Sequence, residues 1–193
     1  MKKAAQISEA GFSLVDLIVV VALIGIISAI TIPTMMGAID RMRLGQSVRD
    51  VERELQQAKQ RAVGKSSVVR VHFNCPTARE FRSVELIGTT TSPTAADTAV
   101  AARCSNTTYP FPPSDNNPLT RPNLDGPPRW LDPTVAFGAV QSIEFWPDGT
   151  AHYNNAGANP WPMIPTAGIT LTMVRAANTK SITVNGLGKV QLQ

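Results

Sequence analysis

An uncharged stretch near the start of the chain dominates its pattern of hydrophobic and polar positions. No side chain from Leu17 to Ile39 carries a charge, and most of these 23 residues are apolar. As a helix the stretch is about 34 Å long at about 1.5 Å per residue, which covers a hydrocarbon core of about 30 Å. The pattern therefore predicts a membrane-spanning helix. A cleaved secretory signal fits less well, because the stretch is too long and no small-x-small site follows it.

The helical pattern continues beyond the uncharged stretch as an amphipathic segment. Apolar residues recur at spacings of three and four, at Leu44, Val48, Val51, Leu55, Ala58 and Ala62. That spacing forms one face of a helix, and charged residues occupy the opposite face. Gly64 then supplies a C-terminal stop. The sequence therefore predicts one helix over residues 13–63, whose second part carries an apolar stripe.

The period changes to two after this helix. Val69, Val71 and Phe73 alternate with their neighbours, which predicts a half-buried strand. Further strands are predicted at residues 81–86, 142–146, 169–174, 181–184 and 189–192. A turn is predicted at residues 147–150, and hairpin connections at residues 178–179 and 185–188. Together these elements predict an α+β fold in which a helix lies on an antiparallel sheet.

Residues 88–133 break this pattern. Thr, Ser, Ala and Pro dominate the first part of the segment, and the second part holds eight prolines. Proline at this density favours extended loop over regular structure. We expect an ordered surface insertion, because Tyr109, Phe111, Trp130 and Leu131 give the segment apolar side chains to bury.

Composition and charge narrow the class of protein. The residues after Gly64 number about 130, enough for one small core. The formal net charge is +4 and no basic run stands out, so solvated surface charge explains the balance better than a dedicated anionic partner. The chain lacks a Gly-x-Ser-x-Gly elbow, a phosphate loop and a His-Glu-x-x-His motif. We therefore expect no enzyme and no cofactor.

Two cysteines, Cys75 and Cys104, lie beyond the membrane segment, in an expected oxidising compartment. A disulfide between them closes a loop of about 30 residues and contributes about 3 kcal/mol in the entropy model. Two buried free thiols are the alternative. No metal site is expected, because the histidines, His72 and His152, stand far from any paired-cysteine spacing.

The seven residues 11–17, Gly-Phe-Ser-Leu-Val-Asp-Leu, follow a short basic leader and run straight into the uncharged stretch. At these residues the chain resembles a type IV prepilin. In that family the leader ends in Gly, and a Phe, three further residues, an acid and an apolar helix follow. The family acid is usually Glu, whereas this chain has Asp16. Gly25 and Pro33 also match positions where the family commonly has Gly and Pro.

This resemblance implies a pilin-like α+β fold and a processing step. Residues 1–11 form the leader, cleavage falls between Gly11 and Phe12, and Phe12 becomes the N-methylated first residue of the mature chain. Asp16 then faces the amine of Phe12, of its own chain or a neighbour, and sets register during assembly. Opposite charges attract far more strongly in an apolar filament core than in water.

The same resemblance implies how the chain is divided and where it resides. Residues 12–40 form the transmembrane and filament-core helix, residues 41–64 continue it as an amphipathic helix, and residues 65–193 form a periplasmic β-rich domain. The protein is a single-pass protein of the bacterial inner membrane before assembly. Its implied partners are other pilin or pseudopilin subunits, a prepilin peptidase, and the assembly platform and ATPase.

Later segments resemble the GspH/FimT family of minor pilins and pseudopilins. Residues 55–62 and the strand after them are similar to that family's helix end and Val-rich strand, with Lys59 where Arg is usual. Residues 145–150 resemble its Phe-x-x-x-Gly segment, and residues 181–190 resemble its closing strands. This resemblance implies a minor subunit at or near the tip of a short filament.

Three functions remain open at the level of the sequence. The first is a type II secretion pseudopilin, and the second is a minor type IV pilin that acts in adhesion, motility or DNA uptake. The third is a membrane-anchored binding domain that never polymerises. Some FimT-like pilins bind DNA through basic residues near the C-terminal end, and Arg175, Lys180 and Lys189 are the candidates for such a contact here.

Overall fold

A computed structural model describes residues 13–86, 104, 111, 125–155 and 160–193 of the chain. The chain divides into two compact units, one ending at Asp40 and the other beginning at Arg41. One long helix contributes to both units, and every strand belongs to the second.

The helix α1 extends over Leu14–Lys65, close to the predicted range. It ends where the backbone of Ser66 takes a positive φ of 54° and the amide of Ser67 donates to the carbonyl of Ala62 at 3.3 Å. These contacts satisfy a carbonyl of the last turn, as helix C-caps commonly do. The prediction of one continuous helix is confirmed.

Nine strands follow within the described residues, and every pairing between them is antiparallel. Their bounds in chain order are β1 Val69–Phe73, β2 Glu80–Glu85, β3 Arg129–Trp130, β4 Ala136–Phe137, β5 Ile143–Phe145, β6 Ala151–Tyr153, β7 Ile169–Arg175, β8 Asn178–Val184 and β9 Val190–Leu192. They form a five-stranded sheet, in the order β3-β2-β1-β5-β6, and a four-stranded sheet, in the order β4-β7-β8-β9. The predicted α+β class is confirmed.

The apolar stripe on the second part of α1 forms the centre of the core. Its six predicted members are each at most 2% exposed and pack against apolar side chains of both sheets. Among the sheet residues in this cluster are Val71, Phe145, Leu171 and Ile182. Each buried Val, Leu, Ile or Phe contributes about 1.5–3 kcal/mol relative to an exposed one. The predicted packing of helix on antiparallel sheet is therefore what holds the second unit together.

The expectation that β1 is half-buried is wrong, because all five of its residues are buried. Arg70 and His72 point away from the apolar core, yet they are only 3% and 2% exposed. Arg70 is covered because its guanidinium pairs with Glu144 on β5 and lies 3.8 Å from the ring centroid of Trp161. The second face of the strand is thus covered by residues distant in sequence, which alternation within β1 does not reveal.

One predicted hairpin connection is misplaced and the other is correct. Asn178 pairs with Arg175, so residues 178–179 belong to β8 and the turn is Ala176–Ala177. The connection at residues 185–188 joins β8 to β9, where Val184 pairs with Val190.

The proline-rich insertion is more regular at its end than expected. Its residues Arg129 and Trp130 form β3, which pairs with β2. Leu131 is buried at 4% exposed, as the prediction of an ordered insertion requires, but Trp130 is 62% and Phe111 45% exposed. Tyr109 and most of the segment lie outside the described residues.

Candidate functional site

The first turn of α1 carries two reciprocal hydrogen bonds. The hydroxyl of Ser13 accepts from the amide of Val15 at 3.3 Å, and the Asp16 carboxylate accepts from the amide of Ser13 at 3.4 Å. This pattern is close to a capping box, with Asp in the place usually taken by Glu or Gln and with the Ser13 hydroxyl accepting from the second rather than the third helical residue. A negative charge at this end of a helix is also favoured by the helix dipole.

The capping box is adjacent in sequence to the predicted cleavage site. Gly11 and Phe12 lie outside the described residues, but Ser13, whose amide meets the carboxylate, directly follows Phe12. Sequence reasoning assigned Asp16 a partner in the Phe12 amine and missed this local role. The Ser-x-x-Asp spacing at the helix start was the signal that predicts it.

The first unit presents an unusually apolar surface. Its large hydrophobic side chains from Leu14 to Met36 are 51–74% exposed. Contiguous apolar patches of more than a few hundred Å² mark membrane or protein interaction surfaces. Among the described residues, α1 alone is long and apolar enough to cross a membrane, by length and composition, a test that signal sequences also pass.

The three candidates for a DNA contact lie in different settings. Arg175, at the end of β7, is 9% exposed and donates to Asp132 and Thr134. Lys180 is exposed on β8, and Lys189 is exposed after the loop at the other end of that strand. Lys180 lies five residue steps before Asn185, the first residue of that loop, which corresponds to about 17 Å at about 3.4 Å per residue. A DNA contact at these residues stays a prediction.

Asp132 is the centre of a polar cluster that contains Arg175. Its carboxylate lies 3.3 Å from the guanidinium of Arg175 and 3.9 Å from that of Arg43 on α1. Hydrogen bonds from the hydroxyl and the amide of Thr134, supported by the two arginines, hold the pKa of Asp132 below its ordinary value. The side chain of Arg175 thus links β7 to the loop before β4 through these contacts.

The cysteine and histidine candidates are also located. Cys75 and Cys104 form a disulfide with 5.5 Å between their Cα atoms. His72 contacts the hydroxyl of Ser142 at 3.2 Å, and the ring of His152 stacks on that of Trp146 at 4.3 Å between centroids. No group of three His, Cys, Asp or Glu among the described residues is arranged to hold a metal ion.

A polar cluster that the sequence did not predict covers the outer face of the five-stranded sheet. Glu144 is fully buried, pairs with Arg70 and accepts from the indole of Trp146 at 3.3 Å. Burial raises the pKa of Glu144, and the facing guanidinium of Arg70 opposes that shift. The imidazole of His152 bonds to the carbonyl of Trp161 at 2.7 Å and so ties this cover to β6. The cluster is structural, because its polar groups form hydrogen bonds and an ion pair with one another.

A second cluster joins α1 to the five-stranded sheet. Glu54, 1% exposed, accepts from the hydroxyl of Ser83 at 2.5 Å and from the guanidinium of Arg129 at 2.8 Å. Arg61 donates to the same hydroxyl at 2.9 Å. Gly126 packs against this cluster, where an added Cβ would collide with the hydroxyl of Ser83.

Comparison with known proteins yields structural similarity only. No protein-family model and no curated protein sequence matches the chain. Two crystal structures of the type IV minor pilin FimU of Pseudomonas aeruginosa PAO1 are similar to it at 13% identity. For the crystal in space group P65 the TM-score is 0.44, and the match covers 78% of this chain and 92% of FimU. For the crystal in space group P21 the TM-score is 0.46, and the match covers 79% of this chain and 90% of FimU. Similarity at this level assigns neither a family nor a function to this chain.

Proposed function

We propose that the chain is a minor pilin or pseudopilin subunit that assembles into a type IV pilus or a type II secretion pseudopilus. The observation that carries the proposal is the composition of α1. One uninterrupted helix begins at the prepilin-like residues, exposes apolar side chains along its first part and buries an apolar stripe in a β-rich domain along its second. A helix that is exposed and apolar on nearly all sides is stable in lipid, and it is also stable when other apolar helices bury it.

Processing follows from the same proposal. A prepilin peptidase cleaves between Gly11 and Phe12 and methylates the new terminal amine of Phe12. The chain is held in the inner membrane by residues 12–40, with residues 65–193 outside the cytoplasm, until the platform protein and ATPase add it to a filament. Its other contacts are with neighbouring pilin or pseudopilin subunits.

Asp16 has two roles in this proposal, and they call for different chemistry. The capping box needs an acceptor oxygen for the amide of Ser13, which an amide side chain also supplies. Pairing with the Phe12 amine in an apolar filament core needs a negative charge, and an unpaired buried charge costs about 3–5 kcal/mol. Replacement by Asn therefore separates the two roles, because it keeps the acceptor and removes the charge.

The experiment measures how much of each full-length variant enters the filament fraction sheared from cells that carry the chain's own assembly system. We expect Asp16→Asn and Asp16→Ala to be lost from filaments but retained in the membrane, and Asp16→Glu to assemble. Asp50→Asn is the matched control, because Asp50 is an exposed acid on α1 that pairs with Arg53. Normal incorporation of the Asn and Ala variants would contradict the proposed pairing.

A further inference from the structure

The loop between β8 and β9 is held rigidly although it reaches the surface. Within it the amide of Gly188 donates to the carbonyl of Asn185 at 2.8 Å, and the amide of Lys189 donates to the side-chain oxygen of Asn185 at 2.9 Å. Two outside donors fix it further. The amide of Ala151 donates to the carbonyl of Gly186 at 2.8 Å, and the Nζ of Lys59 donates to that of Leu187 at 2.9 Å.

Both glycines of this loop are packed where no side chain fits. An added Cβ on Gly186 would collide with the carbonyl oxygen of Ile164. One on Gly188, whose φ is +65°, would lie 2.6 Å from the carbonyl oxygen of Gly149. The loop backbone is therefore held in one conformation by close packing, which fixes the point from which its apolar side chain projects.

That side chain is Leu187, which is 72% exposed. Among the described residues from Arg41 onward it is the most exposed large hydrophobic side chain. Met163 lies beside it at 54% exposed, and the two border a cavity of about 150 Å³ with Ile164, Thr166, Asn185 and Gly186. An apolar cavity of about this volume holds a benzene-sized group. Leu187, Met163 and the cavity between them are called the Leu187 surface below.

Two lysines adjoin the Leu187 surface, and Asp148, the acid of the neighbouring turn, accepts from the amide and the hydroxyl of Thr150. Lys59 bonds to the loop carbonyl and Lys189 follows the loop directly, and neither forms an ion pair with a carboxylate among the described residues. Two copies of this surface would bring lysines against lysines, which disfavours self-association. Complementary charge selects partners and suppresses wrong ones.

We propose that the Leu187 surface docks a segment of a different protein, in which one apolar side chain enters the cavity and flanking Asp or Glu residues face Lys59 and Lys189. The rigid loop makes such docking efficient, because little conformational freedom is lost on binding. That this partner is another filament subunit rests on the proposed function, whereas its chemistry rests on the surface itself.

The test is photocrosslinking of the full-length chain in cells that carry its own assembly system. A benzophenone side chain replaces Thr166 at the cavity edge, and a control probe replaces the exposed Thr179 on β8. Mass spectrometry identifies the residue that each probe captures. We expect the Thr166 probe to capture an apolar residue flanked by Asp or Glu in one different protein, and the Thr179 probe not to capture it.

Variants added to the Thr166 probe test which side chains matter. Leu187→Ala is expected to lower the crosslink yield at least about fivefold, and Lys189→Gln about twofold to fivefold. Leu192→Ala is the matched control, since Leu192 is an exposed leucine outside this surface, and it should leave the yield unchanged. Protein level and mobility on a non-reducing gel, which reports the Cys75–Cys104 disulfide, show that each variant is folded.

Several results would overturn the docking proposal. One is that the Thr166 probe captures only another copy of this chain, and another is that the two probes capture the same residue equally. The others are that Leu187→Ala and Leu192→Ala change the crosslink yield equally, or that Lys189→Gln leaves the yield unchanged. Recovery in sheared filaments reports the proposed function separately. If the crosslinks are specific but the chain is absent from sheared filaments, the filament role is contradicted and the docking surface is supported. If the chain is recovered in filaments but the crosslinks are not specific, the docking surface is contradicted and the filament role is supported.

Discussion

Glu54 shows how a single charged residue fixes the helix on the sheet. It lies among the apolar stripe residues of α1, and its carboxylate is 1% exposed. A buried carboxylate is unfavourable unless hydrogen bonds and opposite charge compensate it. Ser83 and Arg129 supply that compensation from two strands of the five-stranded sheet. A polar contact of this kind also fixes the rotation of the helix, which apolar packing alone constrains less.

We predict that Glu54→Ala lowers the free energy of unfolding by about 2–3 kcal/mol, because Ser83 and Arg129 lose their acceptor. This loss is smaller than the about 3–5 kcal/mol lost when a fully buried ion pair is broken, because the side chain of Arg129 is 39% exposed. Glu52→Gln is the control, and we expect it to change stability by at most about 0.5 kcal/mol. Denaturant unfolding of the full chain in detergent, followed by tryptophan fluorescence, measures both, and equal losses would contradict this role of Glu54.

The β7–β8 hairpin shows how element geometry can override residue preference. Its two-residue turn places Ala176 at a φ of +49°, a conformation that glycine adopts at no steric cost. Leu171 and Met173 of β7 must face the core together with Ile182 of β8. A shift of one residue would turn them to the outer face, so the register of the strands decides where the turn falls.

We predict that Ala176→Gly raises the free energy of unfolding by up to about 1 kcal/mol, because it relieves a left-handed conformation that costs an L-residue about 1–2 kcal/mol. Ala177, the other turn residue, has no positive φ. Ala177→Gly should therefore lower stability, by about 0.4–1 kcal/mol, through the greater freedom of the unfolded chain. The same denaturant titration compares the two variants, and a loss of stability in both would contradict the account of this turn.

Long elements were predictable from the sequence because their periodicity reports burial directly. The stripe on α1 repeats often enough to indicate its buried face, whereas the alternation in β1 located the strand but not the burial of Arg70 and His72. The three-residue strands β5 and β9 lie within predicted runs, whereas β3, β4 and β6 show no alternation in their two or three residues and depend on their neighbours. Residues 178–179 resembled a turn locally, but strand register placed the turn two residues earlier.

The polar clusters of the candidate site had no local signal in the sequence. Glu54 and Arg129 are 75 residues apart, and Arg70 and Glu144 are 74 apart. Only the folded sheet brings such pairs together, so a sequence motif does not predict them. The N-terminal residues 11–17 are the opposite case, because both the resemblance and the capping box depend on a spacing of a few neighbouring residues.

At the scale of the whole molecule, two units with opposite solvent preferences share one helix. The first exposes an apolar surface, and the second buries the apolar stripe of α1 against apolar side chains of its sheets. A lipid-embedded precursor and a filament with an apolar core both provide an environment for the first unit. We propose that cleavage before Phe12 converts the lipid-embedded precursor into a subunit competent for the filament.

The intact mass and N-terminal sequence of the mature protein, purified from cells with its own processing system, test this claim most directly. We predict that residues 1–11 are absent and that the chain begins at Phe12 with one methyl group on its amine. Substitution of Gly11 by a large residue should leave the leader attached and serves as the control. An intact Met1, or a first residue other than Phe12, would contradict the account.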